Sequence, residues 1–390
     1  MRLGDRRYRL LLILLLVVLM GASAYLLGWH VWGSHHLRAA RAALERRDFR
    51  HADTHLRAYL AVWPKEPTAQ LLAARSARRQ GNVGQCLQHL RWCQNSADLR
   101  EAVDLEYRLN RLKASDLLEA EALLAQCFSH PQDANTPLIL EAVIQSSLKL
   151  LSAATTLGLL AKDELVEPYV ARTRRAVDLW LELRPGPFDR AEGLVWRGQL
   201  EKFTKGEKAL ADFRKALDLN PNHFDAAMHL AMYVMEADPE QAIASLERLN
   251  QRYPKNALVR YDLASAYRAM GRLEKARQLF DDMLADNPNE VSALIERGYL
   301  SLDRQEVEDA ERRFRRALEL APANARGYLA LSCCLQLRGN AREAKPYREK
   351  FQQLEAEEKR FREEAARQLE RTLKRDAAKR VPAGSAEVGP

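Results

Sequence analysis

The chain has 390 residues, of which 47% are hydrophobic and 29% charged, with a formal net charge of +8. That composition excludes a disordered or collagen-like chain and leaves room for two or three ordinary domains or one extended repeat array. The charge is mild for the length and gives no case for a nucleic-acid binder, while the five cysteines are too irregularly spaced for a disulfide framework or a zinc site.

Residues 1–9, "MRLGDRRYR", form a basic tail carrying Arg2, Arg6, Arg7 and Arg9. Residues 10–32 follow as an apolar stretch from Leu10 to Trp32 with no Asp, Glu, Lys or Arg. As a helix it reaches about 34 Å, enough for a hydrocarbon core of about 30 Å. Trp29 and Trp32 stand at its far end, where an interfacial aromatic belt belongs. The small-residue run Ala22-Ser23-Ala24 raises a cleaved signal peptide as an alternative. Continuation of the apolar run through Leu26, Leu27 and Trp29 favours a retained transmembrane anchor. The basic tail keeps the N-terminus cytoplasmic and places the remainder outside. Arg38, Arg41, Arg46, Arg47 and Arg50 on the far side leave a cytosol-facing adaptor of reversed orientation as the alternative.

Residues 33–134 carry paired amphipathic helices. Ala52, Leu56, Tyr59 and Pro64 mark one unit; Gly81, Cys86, Leu90 and Cys93 the next; Ala120, Leu124 and Cys127 a third. Three cysteines thus occupy small-residue packing slots, as buried thiols do. Cys333 and Cys334 are expected to be structural as well. Between 135 and 187 the pattern decays. A helix from Pro137 to Leu151, an irregular segment and a helix from Pro168 to Leu183 read as a degenerate repeat with an insertion. Over 188–355 the period is clearest. Ala209, Ala242, Ala276, Ala310 and Ala344 recur at intervals of 33 or 34, large apolar Phe213, Leu246, Phe280 and Phe314 follow four later, and Pro221, Pro254, Pro288 and Pro322 end the units. Asp238 is placed to cap a helix opening at Pro239, and Pro346 falls inside the last expected helix, where it would kink it. Residues 356–380 read as a charged capping helix and 381–390 as a disordered tail.

The best copy holds Ala264, Tyr267, Gly271, Ala276, Phe280 and Pro288. These residues resemble the tetratricopeptide repeat (TPR) family: small residue, turn glycine, alanine, large apolar residue, proline. Two antiparallel helices approach closely only where side chains are small, and Gly271 reverses the chain through a backbone conformation other residues resist. The expected fold class is all-α, an α-solenoid of eight or nine TPR-like hairpins with one transmembrane helix before it and a charged helix closing it.

No phosphate-cradling loop, nucleophile elbow or HExxH sequence is present, so neither catalysis nor a cofactor is expected. His51 and His55 lie one turn apart with His35 and His36 nearby, leaving metal-dependent activity as a lesser alternative to solvated side chains. Arg75, Arg78 and Arg79 read as a solvated basic helix face, with an acidic partner as the alternative. In an α-solenoid the first helices line a groove. Met228, Met232, Met235, Tyr261, Arg268, Ile295, Tyr299 and Leu329 are the candidate peptide-binding residues there, against the alternative that they pack between hairpins. Family members that clamp a terminal carboxylate use paired Lys and Asn. Tyr261, Ser265, Ile295 and Tyr299 stand in those places, so that specificity is not implied. The resemblance implies a protein-interaction scaffold, and anchored bacterial proteins of this layout serve envelope assembly, secretion or surface-polymer synthesis.

Overall fold

The computed structural model describes residues 3–112, 117–159, 163–184, 186–201 and 208–380. The tail 381–390 lies outside the described residues, as do the side chains of residues 1–13. Every regular element among the described residues is helical, so the all-α repeat architecture holds. The chain divides into two compact units, Met1–Ser146 and Ser147–Pro390.

The first unit opens with α1 (Leu3–Glu45), a single helix of 43 residues. Leu14 to Met20 are exposed by 55–63%. The same helix then buries Gly33, Ala40 and Ala43 and packs against α2 (Phe49–Val62). Gly33 is required by a close approach, since a Cβ there would fall 2.5 Å from the Trp63 ring. Asp48 caps α2 by accepting the His51 N–H at 3.2 Å. Helices α3 (Pro67–Arg79), α4 (Val83–Cys93) and α5 (Arg100–Arg111) follow, then α6 (Leu117–Ser129) and α7 (Thr136–Thr156), the last continuing across the division into the second unit. Cys86 and Cys93 sit in the α3–α4 core with Leu71, Ala74 and Leu90, and Cys127 is buried too. Burial pushes all three thiols up to about 11, so they stay protonated and inert.

The arginines of α3 do not form the solvated face expected of them. Arg75 and Arg78 reach the Glu106 carboxylate of α5 at 3.1 and 2.8 Å. Arg79, with Arg47 from the α1–α2 turn, reaches Glu141 of α7 at 2.7 and 2.6 Å. Both carboxylates are fully buried.

The second unit stacks hairpin on hairpin: α8 (Asp163–Leu183), α9 (Pro187–Glu201), α10 (Lys208–Leu219), α11 (Phe224–Val234), α12 (Pro239–Arg252), α13 (Ala257–Ala269), α14 (Leu273–Asp286), α15 (Val291–Asp303), α16 (Val307–Leu320), α17 (Ala325–Leu337) and α18 (Ala341–Arg380). Asp238 caps α12 as expected, accepting the Gln241 N–H at 3.0 Å. Ala209, Ala242, Ala276, Ala310 and Ala344 are buried, and so are Phe213, Leu246, Phe280 and Phe314. A second small-residue row on the first helices faces them: Gly198, Ala231, Ala264, Gly298 and Ser332, again 33 or 34 apart and buried. A Cβ on Gly198 would stand 2.7 Å from Phe213 Cε1. Small side chains on one helix thus make the hollow that the aromatic ring of its partner fills.

Three expectations change here. Helix α7 runs on to Thr156, and α8 begins at Asp163 with Pro168 inside it, so the irregular stretch is shorter than the sequence implied. The charged capping helix is not a separate element. It continues the second helix of the last hairpin as one helix of 40 residues that runs through Pro346. Near its far end Leu373 and Asp376 are buried, and Tyr169 of α8 donates to Asp376 at 2.7 Å. Cys333 is exposed, whereas Cys334 is buried as expected.

Five of the hairpin turns, α1–α2, α3–α4, α13–α14, α15–α16 and α17–α18, share one closure, whereas α11–α12 closes without a left-handed residue. In the α13–α14 turn the Gly271 N–H bonds Arg268 O at 3.0 Å and the Arg272 N–H bonds Tyr267 O at 2.8 Å, with Gly271 at φ +70°. This is the Schellman arrangement, which needs a left-handed residue. Arg47 and Gln305 occupy that place in other turns, at φ 58° and 64°. A side chain there costs about 1–2 kcal/mol, offset in part by the freedom glycine adds to the unfolded chain. Gln305→Gly is therefore expected to stabilise the protein by about 0.5–1 kcal/mol. Arg47→Gly should do the opposite, because the same substitution removes a guanidinium from Glu141. Denaturant midpoints of the two variants check the pair of signs.

Candidate functional site

Around Glu296 three consecutive first helices bring their side chains together. Tyr261 of α13 donates its hydroxyl hydrogen to Glu296 Oε1 at 2.9 Å. Arg268, about two turns further along α13, places Nη1 3.3 Å from Glu296 Oε2. From α17, Arg326 pairs with the same carboxylate and donates to the Tyr261 hydroxyl at 3.3 Å. The Tyr299 ring of α15 takes both guanidinium groups, their carbons 5.6 and 5.4 Å from its centroid. Burial foremost holds the Tyr261 and Tyr299 hydroxyls above the ordinary value of 10, so both remain protonated donors.

The local sequence explains the placement. Glu296 and Tyr299 are three apart on α15 and project from adjacent turns. Phe280 and Phe314 beneath them fix the two tyrosines by edge contacts, Tyr261 on Phe280 at 5.9 Å and Tyr299 on Phe314 at 5.4 Å. The Glu296 side chain is 4% exposed, while those of Arg268 and Arg326 are 35% and 48% exposed. One buried carboxylate therefore answers two half-open guanidiniums, whose ten N–H donors exceed what one carboxylate accepts. The remaining donors suit an incoming carboxylate or other oxyanion.

Of the candidate groove residues, Tyr261, Arg268 and Tyr299 meet at this point. Met232 is exposed at 62% and Leu329 at 36%, both apolar surface on first helices. Met235 is half-buried and leans on the core. Met228 and Ile295 are core residues, 6% and 2% exposed, and are corrected out of the groove: each side chain turns inward between helices. Glu296 and Arg326 were not singled out from the sequence. Their signal lay in the repeat register, which sets Glu296 two residues before the buried small Gly298 and Arg326 six before Ser332.

The N-terminal histidines assemble differently from a metal site. His36 Nδ1 and His55 Nδ1 lie 2.9 Å apart, and His51 instead bonds Asp48 at 2.8 Å. Among the described residues no group of three or more His, Cys, Asp or Glu has the geometry to hold a metal ion. The Trp32 ring lies 4.2 Å from that of His36. Burial, then the charges of His55 and His35, hold the His36 imidazole below its ordinary 6.5. Its neutral form is the one that fits, so its contribution to the α1–α2 packing is complete above pH 6.5 and is lost as pH falls through the depressed folded value. Tryptophan emission is expected to titrate below pH 6.5, and His36→Asn to abolish that step.

Two segments of the chain match family models described as tetratricopeptide repeat, residues 37–85 and residues 233–297. The chain carries tetratricopeptide repeats. Among solved structures, a crystal structure of MamA shares 22% identity at a TM-score of 0.37, over 42% of this chain and 96% of that one. A structure of YrrB, described as a TPR protein with an unusual peptide-binding site, shares 18% identity at a TM-score of 0.37, over 46% of this chain and 93% of that one.

Proposed function

We propose that this chain is a membrane-anchored, non-catalytic scaffold that holds another protein through the first-helix face of its second unit. The observation that carries this reading is the Arg268–Tyr299–Arg326 cluster about buried Glu296, built from three successive repeats and left half-open to solvent. Glu106 and Glu141 also hold two guanidiniums each, but those arginine side chains are at most 22% exposed, whereas Arg268 and Arg326 are 35% and 48% exposed and keep donors free at the surface. A bound segment that offers an acidic group there and apolar side chains to Met232 and Leu329 satisfies both.

Two features support the anchor. Leu14 to Met20 are bare on α1, and α1 runs unbroken from that stretch into the first hairpin. By contrast α7, which is also long and apolar enough to cross a bilayer, has 56% of its apolar window buried, as a core helix does. In this reading residues 10–32 lie in the bilayer, the basic tail is cytoplasmic and the repeats that follow residue 32 are outside, in a bacterial envelope. Assembly, secretion or surface-polymer synthesis are the processes such a scaffold would serve.

Cross-linking and co-purification from intact cells test the face. Tyr299→Ala and Met232→Glu are expected to deplete the partners recovered with wild type, and an unchanged set from both removes the face from consideration. Fusions at the C-terminus test the orientation: active alkaline phosphatase with a dark fluorescent protein is expected, and the reverse pattern places the repeats in the cytosol.

A further inference from the structure

The repeat register sets Asp262 in the same place as Glu296, each two residues before the buried small residue of its first helix, Ala264 and Gly298. The same register identifies what should answer it. Arg268 lies four residues after Ala264, and its counterpart after Ala231 is Met235. Arg326 lies six before Ser332, and its counterpart before Gly298 is Ser292. The two arginines that neutralise Glu296 are thus replaced, one repeat earlier, by a thioether and a short hydroxyl. At the remaining places of this row, Trp196 is buried against Trp180 with ring centroids 5.0 Å apart, His229 is held by Gln199 at 2.7 Å and Ala330 needs no partner. Asp262 is half-buried and has no hydrogen bond or ion pair among the described residues.

A carboxylate in this setting is poorly solvated and unanswered. Burial alone raises it above its ordinary 3.8, with no neighbouring charge close enough to counter the effect. Leu258, one turn before Asp262 on α13, is 55% exposed, and Met235 offers a flexible apolar wall on the preceding first helix.

We propose that Asp262 is a subsite for a cationic side chain, lysine or arginine, of the segment bound on this face, with Leu258 and Met235 covering the aliphatic stem of that side chain. The inference rests on the protein-binding reading of the face and deepens it. The ligand supplies at Asp262 what Arg268 and Arg326 supply internally at Glu296. Long cationic side chains bury their methylenes against apolar surface while the charged head finds the carboxylate. The partner is therefore a segment of mixed charge, basic where it crosses α13 and acidic where it reaches the Arg268–Arg326 pair.

A random peptide library displayed on phage, panned against the purified full-length protein, supplies the probe. Selected sequences are expected to carry a lysine or arginine together with an acidic residue. Synthetic versions should bind Asp262→Asn about tenfold more weakly, as loss of a partly desolvated ion pair predicts. Replacing the basic residue of the peptide with norleucine should cost wild type the same factor and the variant nothing. Met235→Arg, which installs an internal partner for Asp262, should reproduce the loss while leaving the circular dichroism and melting curve of the folded protein in place. Peptides selected without any basic preference, or equal affinity for wild type and Asp262→Asn, overturn the subsite while leaving the face. Failure to select any peptide on folded wild type overturns the face as well.

Discussion

Phe314→Ala is expected to lower stability by about 3–5 kcal/mol, the cost of emptying a fully packed aromatic site. The ring is completely buried between α15, α16 and α17, among Ile295, Ala310, Ala330 and Leu331. Its edge also lies over Gly298, where a Cβ would fall well inside van der Waals contact of Phe314 Cε1. Gly298→Ala should therefore destabilise in its own right, by about 1–3 kcal/mol of overpacking. The two losses should not add. Once the ring is gone the new methyl has room, so the double variant is expected to recover about 1 kcal/mol or more relative to the sum. Thermal and denaturant unfolding of all four proteins measures the coupling. Full additivity would mean that the glycine and the ring do not share one space. The cycle also has a functional reading, because Tyr299 rests on Phe314. Losing the ring should free Tyr299 from the position in which it receives Arg268 and Arg326, and peptide binding should weaken even where the fold survives.

Why this packing was legible in advance, and the candidate site only partly so, has a physical answer. Ala276, Phe280 and Gly271 recur because every hairpin faces the same problem of close approach and chain reversal. A fixed period then appears in the letters themselves. Binding surface obeys no such constraint. Glu296, Asp262 and His229 share one register position and differ in chemistry, so no spacing marks them. Tyr261, Arg268 and Tyr299 stood out as large side chains on a face expected to be open. Met228 and Ile295 stood out for the same reason and are buried, since one residue of helical phase separates the inward from the outward side. The Gly pattern also hid something. Where Arg47 and Gln305 take the left-handed turn position, the sequence loses its glycine but the backbone keeps its Schellman closure. The turn is imposed by the packed helices on either side.

Pro221, Pro254, Pro288 and Pro322 each stand just past a helix end as expected, whereas Pro346 misled. Pro346 reads as a kink, yet it sits in the second turn of α18, where a missing N–H removes a single early hydrogen bond. Thirty-odd residues of charged helix follow it without a break. A charged, sparsely apolar sequence gave no sign that Leu373 and Asp376 would be buried again, because a contact with Tyr169 across 207 residues leaves no local pattern.

The same holds for the buried carboxylates of the first unit, where the second large effect is expected. Glu141→Gln should cost about 3–5 kcal/mol, since it leaves Arg47 and Arg79 as uncompensated charges beside a closed core. The geometry allows little relaxation: Arg47 binds one carboxylate oxygen and Arg79 the other, and both guanidiniums lie against Phe49, at 5.6 and 5.7 Å from its centroid. Burial raises the Glu141 carboxyl, but Arg79, Arg47 and Arg78 together outweigh it and bring it down to about 2, from an ordinary 4.5. A carboxylate depressed in the folded state stabilises the protein fully above its unfolded value and loses that contribution as pH falls through its folded value. The stability gap between wild type and Glu141→Gln should therefore be constant from neutral pH down to 4.5 and narrow between 4.5 and about 2. Melting temperatures of the two proteins across that range measure it. The gap does not make the ion cluster a net source of stability. Desolvating three charged groups costs as much as their attraction returns, so replacing Arg47, Arg79 and Glu141 together with apolar residues of matched volume is expected to be neutral or stabilising. A triple variant as weak as Glu141→Gln would show instead that the charges themselves, beyond their mutual compensation, hold α1, α3 and α7 in register.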